Sequence, residues 1–132
     1  MSGAFRWNQF AEAKYLSLET WRNSGVGVRT PVWFASAPTT APNPVFYVYS
    51  EANAGKVKRI RRQAAVRIAR CDAQGKVTGT WVDANAVIVG DEEARWAMAM
   101  LNAKYRPWKQ ILDLLARLRP GHRRVVIAIT AR

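Results

Sequence analysis

Short apolar stretches alternate with turn residues along this chain, and the alternation predicts a fold dominated by strands. Tyr15 to Trp21 alternates apolar and polar residues over part of its length, the period of two that marks a half-buried strand. Arg22-Asn23-Ser24-Gly25 has turn chemistry, because Asn and Gly tolerate positive φ. Val26 to Ala35 predicts a second strand, so the two form a hairpin. Pro31 within it cannot donate to a ladder and belongs at a sheet edge or a bulge. Thr30 to Trp33 is therefore a stretch whose backbone groups are free to meet something else. Ser36 to Pro44, with three prolines and two threonines, predicts a loop. Val45 to Ser50, aromatic and β-branched, predicts a third strand.

The pattern then changes. Ala54 to Gln63 predicts a short helix in which Val57 and Ile60, three apart, share a buried face while most other positions are cationic. Ala65 to Cys71 predicts a strand with Val66 and Ile68 on one face and Arg70 carrying that face to solvent or an anion. Asp72 to Gly75 is a turn, and Val77 to Val89 is one long strand or a bent pair. Asp91 is an expected N-cap, followed by Glu92 and Glu93 at a helix start that favours them. This helix runs to about Tyr105, with Trp96, Met100 and Leu101 at helical spacing. Pro107 opens a second helix, Trp108 to Leu118, which Pro120-Gly121 ends. Arg123 to Thr130 is the last strand, and residues 1–12 form a helical or irregular lead-in. The order β-β-β-α-β-β-α-α-β, with short connections, favours an antiparallel barrel with peripheral helices over a doubly wound parallel sheet.

Composition narrows the class. A chain of 132 residues is one domain's worth, and 49% apolar content excludes a disordered basic tail. No apolar run approaches the roughly 20 residues of a membrane-spanning helix, and the first ten residues carry no signal-peptide pattern. One cysteine, Cys71, and one histidine, His122, make neither an intramolecular disulfide nor a zinc site. A reducing cytoplasm is the expected location. The formal net charge of +12 suits polyanions, phosphate ligands or acidic membranes, or is simply a basic solvated surface.

Enzyme signatures are missing. There is no phosphate loop of the G-x-x-x-x-G-K-[ST] type, no G-x-G-x-x-G and no G-x-S-x-G. His122 is expected to be solvated or capping, Cys71 a small buried hydrophobe, and a helix start accounts for Asp91, Glu92 and Glu93. No catalytic side chain is assigned. The basic segment is different: Lys56, Lys58, Arg59, Arg61, Arg62, Arg67 and Arg70 fall within fifteen residues with no acid among them. It follows Gly55 and opens a helix, where the macrodipole disfavours cations by roughly a few tenths of a kcal/mol each. A bound anion would reverse that penalty and accept the free N–H groups of the first turn. The segment therefore predicts a phosphate site at Gly55, Lys56, Lys58 and Arg59.

Several strings carry a resemblance. Lys14 to Arg22 (KYLSLETWR), Gly25, Thr30-Pro31-Val32-Trp33, Gly55 to Arg62 (GKVKRIRR) and Cys71 to Gly75 (CDAQG) together resemble the pyridoxamine 5'-phosphate oxidase-like split-barrel superfamily, and most of all its deazaflavin-dependent oxidoreductase branch. The similarity spans about residues 10–130. It implies a mainly β fold, a six-stranded antiparallel split β-barrel with peripheral helices, assembled as a homodimer with two cofactors in clefts between the subunits. The cofactor is FMN, or alternatively the deazaflavin coenzyme F-420. The resemblance implies that the strand holding Arg29, Thr30, Pro31, Val32 and Trp33 lies along the ring system. The helix with Lys56, Lys58 and Arg59 takes the phosphate, and Ser50 assists. The implied activity is hydride transfer to or from a small substrate, with the cofactor performing the hard step. The chain departs from the family at Ala54, where a cation often stands, and at Ala64-Ala65, where Asn-Pro or Asp-Pro is frequent.

Two other classes remain open at this point. A basic barrel with six Trp and four Tyr could stack on single-stranded nucleic acid. Against it, Trp33, Trp81 and Trp96 lie in apolar-patterned elements and are expected in the core. The third class is a cofactor-binding protein without turnover.

Overall fold

The computed structural model describes residues 7–38, 44–117 and 123–132. The expectations for His122, the Pro120-Gly121 helix end and the middle of the Ser36 to Pro44 loop lie outside them.

After a short 3-10 turn at Asn8–Phe10, seven strands follow: β1 (Tyr15–Trp21), β2 (Gly27–Val32), β3 (Phe34–Ser36), β4 (Val45–Glu51), β5 (Ala65–Cys71), β6 (Val82–Ile88) and β7 (Arg124–Ala131). Helix α1 (Gly55–Arg62) joins β4 to β5. Helices α2 (Asp91–Lys104) and α3 (Trp108–Arg117) stand between β6 and β7. All seven strands form one antiparallel sheet in the order β2-β1-β5-β6-β7-β4-β3. Strands β2 and β3 occupy opposite edges, yet only Trp33 separates them in the chain. Two residue steps reach at most about 7 Å, so the edges must meet there and the sheet must curl into a barrel.

The barrel has seven strands rather than the six expected, because the segment Val26 to Ala35 is divided. Its first part pairs with β1 in the register Leu18↔Thr30 and its last part pairs with β4 in the register Ala35↔Tyr47. The chain leaves one edge and joins the other at Trp33. Pro31 lies on the edge strand, where its missing donor leaves no ladder bond unmade. The expected long strand from Val77 begins only at Val82. Gln9 holds the preceding segment instead: its side-chain NH2 donates to Thr80 O at 2.8 Å and its oxygen accepts from Thr80 N at 2.9 Å.

Leu16, Leu18, Phe34, Phe46, Val48, Ile68, Ile127 and Ile129 line the interior and are fully or almost fully buried. Val57 and Ile60 turn one face of α1 onto this core, as their spacing predicted. Each buried side chain of this size contributes about 1.5–3 kcal/mol, enough to hold a helix too short to persist alone. Cys71 is buried, as expected of a small hydrophobe. The tryptophans depart from expectation. Trp96 is 49% exposed, Trp33 is half-buried at the seam, and half-buried Trp81 covers the guanidinium groups of Arg29 and Arg67 on the outer face. Among the described residues no helix is long and apolar enough to cross a membrane, and no group of His, Cys, Asp and Glu is arranged to hold a metal.

Candidate functional site

Helix α1 packs over one end of β1 and gathers cations there. Arg59 donates from Nε to Thr20 Oγ1 at 2.6 Å, and Arg62 donates from Nη2 to Trp21 O at 2.6 Å. Burial lowers the Arg59 guanidinium from its ordinary value, and the charges of Arg22 and Arg62 lower it further. Burial likewise lowers the Lys56 ammonium, with Arg59 adding to the effect. Four cations, Arg22, Lys56, Arg59 and Arg62, thus share one corner, and among the described residues no carboxylate pairs with any of them. Like charges held together without an acid make a site that favours an anion.

The helix start contributes in a way the sequence argument had only in part. Lys56 and Lys58 lie in the first turn, where the macrodipole opposes them. Arg59, Arg61 and Arg62 lie in the last turn, where it favours them. Arg59 nevertheless serves the helix start, because its side chain folds back across Gly55. A Cβ at Gly55 would stand 2.8 Å from Arg59 Nη1. Glycine at this position leaves the space the guanidinium occupies. Ala54 supplies no side-chain cap; the Val57 and Lys58 N–H groups donate to Ala54 O, which leaves those of Gly55 and Lys56 for an external acceptor.

Residues predicted from the sequence divide between this corner and the neighbouring edge strand. Gly55, Lys56 and Arg59 come together. Lys58 is exposed on α1. Ser50, at 7% exposure, shares the inward face of β4 with Phe46 and Val48, and its hydroxyl makes only a long 3.3 Å bond to Glu51 O. On β2, Thr30 faces inward beside Leu18, and its Oγ1 is buried with no hydrogen-bond partner. Val32 is buried and ends the strand, Pro31 is exposed, and Trp33 follows. Arg29 points to the opposite face, where it is engaged: its Nε donates to Glu19 Oε2 at 2.8 Å and its guanidinium lies 4.6 Å from the centre of the Trp81 ring. Arg67 completes this outer cluster, with Nη2 2.6 Å from Glu19 Oε1. Burial alone would raise the Glu19 pKa, but Arg29 and Arg67 outweigh it and hold the carboxyl below its ordinary range.

The sequence did not mark Thr20 or Arg22. They reach the site only because β1 packs beneath α1, 39 residues away in the chain. A second feature at the seam also rests on distant segments. Tyr105 Oη accepts from the buried Phe34 N–H at 2.9 Å and lies 2.8 Å from the carbonyl oxygens of Phe34 and Lys14. Its ring stacks on Trp33 at 4.6 Å and 12°. The turn from β2 into β3 is thereby pinned to the end of α2.

An exposed backbone edge at β2, an inward hydroxyl without a partner and an acid-free cationic corner fit a phosphorylated planar group such as FMN. The corner supplies charge and N–H donors, Thr30 supplies a hydroxyl, and β2 supplies edge N–H and C=O groups.

No family model matches the sequence, and no curated protein matches it. Solved structures match its shape. The conserved hypothetical protein Rv2991 of Mycobacterium tuberculosis is 20% identical, with a TM-score of 0.68 over 100% of this chain and 81% of its own. A protein related to general stress protein 26, of the pyridoxinephosphate oxidase family, from Clostridium acetobutylicum is 16% identical, with a TM-score of 0.64 over 97% of this chain and 82% of its own. HutZ, the heme storage protein of Vibrio cholerae, is 16% identical, with a TM-score of 0.65 over 92% of this chain and 84% of its own. The shared property is the fold.

Proposed function

We propose that this chain, a split barrel of the pyridoxamine phosphate oxidase-like type, is a flavin-dependent oxidoreductase that binds FMN. The observation that carries the reading is the corner of Arg22, Lys56, Arg59 and Arg62, with which no carboxylate pairs among the described residues, together with the unpartnered hydroxyl of Thr30. Lys56 and Arg59 hold the phosphate, assisted by the first N–H groups of α1. Thr30 and the open edge of β2 take polar atoms of the ring system, and Trp33 bounds its far end. Ser50, nearly buried and weakly bonded, is available to a ligand from the β4 side. When bound, the flavin supplies hydride transfer to or from a small substrate. The chain's own residues orient the ring and exclude water from it. Exposed Lys58 and Arg61 extend the cationic surface and favour a deazaflavin with an acidic tail as the second reading.

The chain assembles as a homodimer in this proposal. Its support is an apolar surface on α3, where Trp108, Ile111, Leu112, Leu114 and Leu115 are 48–66% exposed. Apolar patches of this kind mark association surfaces.

The test is mass spectrometry of the small molecule that co-purifies, followed by FMN titration of the stripped protein and of Lys56→Ala. FMN in the wild type, with weakened binding in a folded Lys56→Ala, is the expected result. Equal FMN affinity in the two proteins would remove the phosphate assignment. Salt-sensitive binding of single-stranded DNA without either cofactor would favour a nucleic-acid barrel instead.

A further inference from the structure

The seam between β2 and β3 opens on a second cleft of about 340 Å3, apart from helix α1. Three cations and the Trp33–Tyr105 stack line it. Lys14 comes from before β1, Lys104 from the end of α2, Arg106 from the link into α3 and Trp108 from the start of α3. Among the described residues no carboxylate lines the cleft. Lys104 is the most constrained of the cations. The residue as a whole is exposed, yet its Nζ lies 3.6 Å from the centre of the Phe34 ring and donates to Phe34 O at 2.8 Å. An ammonium has three donors, so two remain for a ligand. Burial lowers this ammonium to about 8, which leaves it mostly protonated at neutral pH, and an anion beside it would raise that value and be held in return. Trp33 and Tyr105 are nearly parallel, and Trp108, part of the α3 surface assigned above to the dimer, stands at the rim. Flat rings favour a flat ligand, and cations without acids favour a negative one.

We propose that the seam cleft is a binding subsite for a planar aromatic anion, with Lys104 taking the anionic group and the aromatic residues taking the ring. The subsite does not depend on the FMN reading, because it shares neither Lys56 nor Arg59. Trp33 belongs both to the cleft and to the strand assigned to the flavin ring, so an occupant lies beside the proposed cofactor.

The probe is 1-naphthoate, titrated by calorimetry into the purified full chain. 1-Naphthalenemethanol has the same rings without charge, and cyclohexanecarboxylate has the same charge without an aromatic ring. 1-Naphthoate is expected to bind about ten-fold or more tighter than either control. Lys104→Met, checked for folding by circular dichroism, is expected to weaken it by about 10- to 150-fold, the range of a hydrogen bond to a charged group. Lys104→Arg restores binding. FMN titrations run in parallel separate the two sites: Lys104→Met keeps wild-type FMN affinity and Lys56→Ala keeps wild-type 1-naphthoate affinity. Equal binding of 1-naphthoate and 1-naphthalenemethanol would overturn the proposal, as would wild-type affinity in folded Lys104→Met. Loss of 1-naphthoate binding in Lys56→Ala alone would place the anion on α1 and also overturn it.

Discussion

Replacing Thr30 by Val separates the stability of the barrel from its capacity to bind a cofactor, because the two should move in opposite directions. Thr30 Oγ1 is buried without a partner. A buried, unsatisfied hydroxyl destabilises the fold by about 1–3 kcal/mol. Valine keeps the branched shape and the strand preference but removes the hydroxyl. Ligand-free Thr30→Val should therefore be more stable by about 1–3 kcal/mol, which raises Tm by roughly 3–10 °C for a chain of this size. If the hydroxyl meets FMN, its loss removes a neutral hydrogen bond of about 0.5–1.5 kcal/mol and weakens Kd by about 2- to 12-fold. The two effects then converge. At free FMN one hundred times the wild-type Kd, the wild type gains about 2.7 kcal/mol, and a variant ten-fold weaker gains about 1.4 kcal/mol. Thermal unfolding followed by circular dichroism, with and without FMN, measures both. A ligand-free variant less stable than wild type would refute the account of the buried hydroxyl. An unchanged FMN affinity would refute its role at the ring.

Other outcomes follow from the same geometry. Gly55→Ala adds a Cβ where Arg59 Nη1 now lies; the flexible guanidinium yields, so Tm should stay within about 2 °C while FMN affinity falls, as fluorescence titration would read. Arg59→Ala should weaken FMN by about 10- to 150-fold, the range for hydrogen bonds to charged groups. Glu19 is held below its ordinary pKa of 4.5, so its contribution is complete above that value and is lost as pH falls through the lowered one. Glu19→Gln should destabilise the protein by about 2 kcal/mol at pH 7, less than a fully buried pair because Arg29 is half in solvent, and should flatten the acid limb of a urea-unfolding pH series. Tyr105→Phe leaves the buried Phe34 N–H without its acceptor and should destabilise by about 1–3 kcal/mol in denaturant unfolding. Leu114→Lys with Leu115→Lys should shift sedimentation from dimer to monomer; a wild type that already sediments as a monomer would dismiss the α3 interface.

Local chemistry made much of the barrel legible. Pro31 reported an edge strand, Gly25 and Gly75 take the positive φ their turns suggested, and Val57 and Ile60 gave the buried face of α1. Information that depends on distant partners was not legible. Nothing between Val26 and Ala35 resembles a turn, so the change of sheet edge at Trp33 has no local signature. It exists because Tyr105, 71 residues beyond Phe34, holds that backbone. Thr78 to Trp81 has strand-like composition, yet the Gln9 side chain claims Thr80. For the candidate site, the sequence revealed the cations of α1 but not their neighbours. Thr20 and Arg22 join through packing, Arg29 turns to the other face to meet Glu19, and the Lys104 cleft assembles from three separated segments.

The sheet order carries a consequence for synthesis. The last strand of the barrel to be translated, β7, is not at a margin but between β6 and β4. Until it leaves the ribosome, β2-β1-β5-β6 and β4-β3 share no ladder and are joined only through Trp33, and β6 and β4 each present a bare edge. Such edges invite pairing with other chains. A nascent chain stalled just before Arg124 would therefore be more prone to aggregate than one stalled after Ala131, although the two differ by only one strand.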